Sequence, residues 1–149
     1  MNTIFDEHNG YAVAIPESAA GQAVNIRSGT RNDIHVMHAE TPDQSTIYFE
    51  VTAYPSVRAH DALVAGQRTF LADNATGETV GDVRPTTLGD RPATTFDFEG
   101  FLQGRIKTRR FLFVDTARTY RVVYDPTSAR NEAVLTTLRF LDHDDEPSS

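Results

Sequence analysis

The chain has 149 residues, 39% of them hydrophobic, with nine Phe and five Tyr, which suits one compact domain and excludes a disordered chain. No apolar stretch approaches the roughly 20 residues that a bilayer crossing needs. Twenty-one acids against fourteen bases give a formal net charge of −7, a surface that repels phosphate backbones, and the lack of cysteine excludes disulfides, thiol nucleophiles and thiolate metal sites.

The opening residues, Met1 to His8, carry neither a basic n-region nor an apolar h-region, so no signal peptide is expected and a cytoplasmic location is the default. Tyr11, Val13 and Ile15 alternate with Ala12 and Ala14 in a first strand that Pro16 ends. A weaker alternation of Ile34, Val36 and His38 predicts a second strand. Ile47, Phe49 and Val51 predict a third, with one face buried, that closes before Pro55. From Ser56 to about Asp73 the period becomes helical. Leu63, Gln67, Phe70 and Leu71 form the expected inner stripe, with Ala59 and Gly66 beside them, and Ser56 is the expected N-cap.

Val80 to Val83 predicts a short strand before Pro85. Thr94, Phe96 and Phe98 alternate in the next, and Gly100 and Gly104 bracket a hairpin connection. The following strand runs from Arg105 to Asp115. Its segment Phe111-Leu112-Phe113-Val114 is apolar at consecutive positions, as in a strand covered on both faces. Tyr120, Val122 and Tyr124 then alternate in the last long strand. Asp125-Pro126 opens a second helix, with Asp125 as cap and Pro126 at the first position, where its missing amide is harmless. Asn131, Val134, Leu135 and Leu138 line its inner stripe, with Phe140 beyond its end. Residues 1–141 read as a single domain and 142–149 as an acidic flexible tail. The expected fold is α+β: an α/β/α sandwich with a mostly antiparallel sheet and two main helices.

The chain carries no catalytic signature. His35 and His38, three apart on a strand, point to opposite faces and cannot share an ion without a bulge. His38 and Glu40 share a face, but two ligands are too few for a closed zinc site. Neither a G-x-S-x-G elbow nor a glycine-rich phosphate loop occurs. No catalytic residue, metal or cofactor is therefore expected, and the chain is read as a non-enzyme. One surface feature stands out: Arg105, Lys107 and Arg109 alternate on one strand face and Arg110 follows on the other. These four are the candidate partner-binding residues, able to hold an acidic partner or a carboxylate ligand. The competing reading pairs them with Asp97 and Glu99 across the hairpin.

Three segments together resemble the PsbP-like superfamily. They are Phe5 with Gly10-Tyr-Ala-Val-Ala-Ile-Pro16, the run Leu88-Gly-Asp-Arg-Pro-Ala93 leading into Thr94 to Phe98, and Tyr120 to Tyr124 followed by an Asp-Pro-capped helix and Leu138-Arg-Phe140. Pro16 is followed by Glu-Ser-Ala-Ala where that family often carries an aromatic residue. The resemblance implies an antiparallel sheet between helices and a binding or assembly protein without a shared catalytic site. The expected function is thus a protein-binding or assembly domain with an unidentified protein partner, no nucleic acid and no membrane insertion. The alternative is a small-ligand carrier with a pocket between sheet and helix lined by Phe70, Phe96, Phe111, Tyr120 and Tyr124. Such a pocket needs about 300 Å³.

Overall fold

Period-two alternation dominates the chain, and the backbone follows it. The computed structural model describes residues 1–141, apart from the side chain of Glu78, and the expected tail at 142–149 lies outside the described residues. β1 (Asn2–Asp6) and β2 (Tyr11–Ile15) pair as a hairpin, followed by the miniature pair β3 (Ser18–Ala19) and β4 (Gln22–Ala23). β5 (Asn25–Arg31) and β6 (Ile34–Glu40) turn through Asn32 and Asp33, both at positive φ, the backbone a two-residue hairpin requires and these residues tolerate. β7 (Tyr48–Ala53) precedes α1 (His60–Asn74). Then come β8 (Thr76–Val80), β9 (Arg84–Leu88), β10 (Arg91–Leu102), β11 (Arg105–Asp115), β12 (Thr119–Tyr124), α2 (Ala129–Thr137) and β13 (Arg139–Phe140).

One 8-stranded sheet runs β5-β6-β7-β12-β11-β10-β8, with β9 also paired to β10; β1, β2 and β13 form a separate 3-stranded sheet. All the pairings are antiparallel. The consecutive apolar residues of β11 divide between two cores. Leu112 and Val114 join Val51, Val122 and Tyr120 against β2 and α2, whereas Phe111 and Phe113 join Phe96, Phe98 and Val123 under α1.

The expected α/β/α sandwich does not form. Strand makes up 53% of the described residues and helix 17%, too little helix for two layers. One sheet face carries α1 alone; the other carries the small sheet with α2 beside it. Both helix starts also differ from expectation. α1 begins at His60 with Ala59 at its N-cap and no side-chain cap, while the Ser56 carbonyl accepts the Thr119 N–H at 3.3 Å. α2 begins at Ala129 behind Ser128, and the buried Asp125 carboxylate instead closes a local turn, accepting the Thr127 N–H at 2.9 Å.

The inner stripe of α1 is rotated from the expected one. Val64 and Leu71 are buried, and Arg68 points the same way, its guanidinium reaching the Gly81 carbonyl at 3.2 Å. Phe70 is 53% exposed. The large sheet is wide and α1 is narrow, so the helix leaves the β7 side of its face open, with Phe70 along that border.

Candidate functional site

Two adjoining hollows, of about 210 and 380 Å³, lie between α1 and the open part of the sheet and share Gln67, Phe70 and Arg121. Together they form a groove. Its helix wall carries Ala62, Leu63, Gly66 and Phe70, side chains four and three residues apart on one helix face. Its floor comes from alternate residues of β7, β12 and β11, including Tyr48, Glu50, Arg121 and Lys107. Arg121 spans the groove. Its guanidinium donates to Gln67 on α1 and to Glu50 at 2.7 Å and Thr52 at 3.3 Å on β7, while its buried Nε finds no partner among the described residues. Three more buried polar atoms without hydrogen-bond partners, His38 Nε2, Glu40 Oε2 and Gln44 Oε1, belong to the neighbouring β6 and the loop after it.

The four candidate cations fare differently. Arg109 is 5% exposed and serves the fold. Its guanidinium lies 3.6 Å above the Tyr48 ring, donates to the Thr108 and Gln44 carbonyls at 2.8 and 3.0 Å, and stands 3.6 Å from the equally buried Asp125 carboxylate. Burial lowers its pKa, and burial likewise raises that of the Tyr48 phenol. Arg110 forks onto Asp97 on the opposite sheet face at 2.8 and 3.1 Å, the cross-strand pair its register dictates. That contact depresses the Asp97 pKa and raises that of Arg110. Glu99 stands across from Thr108. Arg105 is exposed and donates to the Pro42 carbonyl at 3.2 Å. Lys107, half-buried at the inner end of the groove, bonds Gln103 Oε1 at 3.3 Å and has no carboxylate within ion-pair distance among the described residues. Burial and the nearby Arg109 lower its pKa.

Of the five aromatics expected to line one pocket, only Phe70 and Phe111 border the inner hollow. Phe96 is packed in the core under α1, and Tyr120 and Tyr124 belong to the core on the far side of the sheet. Among the described residues two histidines meet acids and hydroxyls, the first set buried and the second partly exposed. The Tyr11 hydroxyl lies 2.7 Å from His35 Nε2 within the core, with Asp6 at 3.7 Å. His60 lies 2.8 Å from Asp115, whose carboxylate accepts the Thr119 hydroxyl at 2.6 Å while that oxygen accepts the Arg58 N–H at 2.8 Å. Neither set borders the groove. His35 and His38 do face opposite ways, and His38 Nε2 lies 3.7 Å from Glu40. A larger hollow of about 690 Å³ lies between the β9–β10 turn and the α2–β13 segment.

Sequence reasoning missed Glu50 and Arg121. Each is a charge amid an apolar strand, Phe49-Glu-Val51 and Tyr120-Arg-Val122, and so marks a sheet face that is not sealed. That β7 and β12 are neighbours, which brings the two charges together, is written in no local pattern.

Among the described residues no helix is long and apolar enough to cross a membrane. No protein-family model matches the chain, and no curated protein does. Among solved structures, a Pseudomonas aeruginosa protein of unknown function, PA94, is similar over 89% of this chain and 88% of its own, at 14% identity and a TM-score of 0.43. At that level the likeness carries no argument about function.

Proposed function

We propose that this chain is a non-enzymatic protein-binding domain that receives a segment of a partner protein in the groove between α1 and the sheet. The observation that carries this reading is Phe70: a large apolar side chain, 53% exposed, on the wall shared by both hollows and bordering a floor of charged groups. A groove with an apolar wall and a polar floor suits a segment that presents both kinds of side chain. The inner hollow, at about 210 Å³, is of side-chain size, and the outer hollow of about 380 Å³ continues it as an open groove rather than enclosing a small molecule. Lys107, without an acidic partner among the described residues, puts a positive charge in the groove of a chain of net charge −7, and Arg105 stands two residues away on the same strand face, which favours an acidic segment.

The test is affinity enrichment from the source cells with the wild-type chain, Phe70→Asp and the control Phe5→Asp, which alters another exposed aromatic 58% accessible on β1. The expected result is one partner retained by wild type and by the Phe5 variant, lost with Phe70→Asp and weakened by added salt. Retention by all three would contradict the groove.

A further inference from the structure

We infer that the inner end of the groove is a carboxylate-recognition subsite, in which Lys107 binds the carboxylate and the adjoining hollow takes the apolar group attached to it. This rests on the partner-binding reading for the source of that carboxylate: an acidic side chain or chain end of the bound segment, next to an apolar residue.

The argument begins with charge. Four charged residues line the inner hollow, and three are already compensated. Glu50 and Arg121 pair at 2.7 Å, and Arg109 is neutralised from outside the hollow by Asp125 at 3.6 Å. Among the described residues Lys107 is left over. The acid whose field reaches it, Glu40, is engaged by Arg27 at 3.3 Å. Burial disfavours the ammonium most, and what remains of the Arg109 field beyond its pairing with Asp125, together with Arg105, adds repulsion. A half-buried cation held among other cations is a costly arrangement that an arriving anion relieves.

Shape supplies the second half. Phe70 and Leu102 give the same hollow its accessible apolar wall, backed by the buried Leu71, Phe98, Phe111 and Val123. Its volume of about 210 Å³ equals that of about seven waters at ~30 Å³ each, enough for a short aliphatic or aromatic group. One uncompensated ammonium beside an apolar wall matches a carboxylate with an apolar body. A phosphate group, with more charge and no apolar surface, would leave that wall unused.

The test uses hexanoate as the probe, followed through the backbone amide resonances of the isotopically labelled full chain, with hexanamide and acetate for comparison. Hexanoate is expected to bind saturably and shift the amides of residues 102–107 and Val123. Hexanamide, which keeps the tail and loses the charge, should bind at least about tenfold more weakly, the factor a charge-assisted hydrogen bond supplies. Acetate should be weaker too. Lys107→Met, which keeps the apolar stem, should cost hexanoate about tenfold while leaving the rest of the spectrum intact. Equal binding of hexanoate and hexanamide, an unaffected Lys107→Met variant, or shifts confined to the hollow beside α2 would overturn the subsite. A second arm sets peptides ending in a free Leu carboxylate, in a Leu amide and in an internal Glu-Leu against one another, and so distinguishes a chain end from a side chain. If a Phe70-dependent partner is captured but hexanoate does not bind, the subsite fails and the groove stands. If hexanoate binds at Lys107 and no partner depends on Phe70, the subsite stands as a small-acid site and the partner reading fails.

Discussion

Four cations fall within six positions of β11, and their fates differ because β11 runs from an exposed hairpin tip into the packed sheet. Arg105 lies at the tip; Arg109, four residues on, is sealed beneath Tyr48 and the loop after β6. Arg109→Ala should therefore destabilise the fold by about 3 kcal/mol, because it strands a buried Asp125 and two carbonyls, whereas Arg105→Ala should change stability by less than about 0.5 kcal/mol. Urea denaturation of both variants checks this, and equal small effects would mean that Arg109 is not the staple its contacts imply. His35 and His38 are both held below their ordinary pKa, chiefly by burial. Each is neutral in the fold, while the unfolded chain takes up protons below about pH 6.5. Stability should consequently fall as pH drops from about 7 toward 5, at up to ~1.4 kcal/mol per pH unit for each histidine, and level off below the folded pKa values. The depressed carboxylates Asp6 and Asp97 lose their contributions only below about pH 4, outside that window. His35→Asn should flatten the slope between pH 7 and 5 in urea titrations; an unchanged slope would mean that His35 does not carry it.

At the scale of elements, what the sequence revealed depended on contrast. β2, β11 and β12 alternate apolar and small or polar side chains strongly enough to be read directly, and β11 shows its cover on both faces through Phe111 to Val114. β5, with the sequence Asn-Ile-Arg-Ser-Gly-Thr-Arg, is exposed along nearly its whole length and owes its strand to pairing with β6, a tertiary cause that leaves no periodic trace. α1 was legible as a helix but not in its rotation. Phe70 and Leu71 are adjacent and both apolar, and which of them faces the core depends on where the sheet lies. The difference is measurable. Leu71→Ala should cost about 2–4 kcal/mol and Phe70→Ser less than about 1 kcal/mol, since the second side chain is already largely in water. Thermal melts that rank the two variants the other way would place Phe70 in the core after all. The candidate site was half legible: the β11 cations stood out against a net charge of −7, whereas the groove needs α1, β7 and β12 placed side by side.

The whole molecule explains why a groove exists. Strands stand about 4.8 Å apart, so the 8-stranded sheet is far wider than one helix of roughly 10 Å diameter. The far face is closed by a second sheet with α2 beside it, but the near face has α1 alone, seated on the phenylalanines of β10 and β11. The uncovered strands on that face carry charges, as a solvent-facing surface does, and the junction between covered and uncovered sheet combines apolar wall with polar floor. The measurement that tests this account most directly is site-specific photocross-linking in the source cells, with a benzophenone amino acid at position 70 and, separately, at position 5. The account predicts one discrete protein adduct from position 70, lost when Lys107 is changed to Glu, and no such adduct from position 5. The same adducts from both positions, or none from position 70, would contradict it.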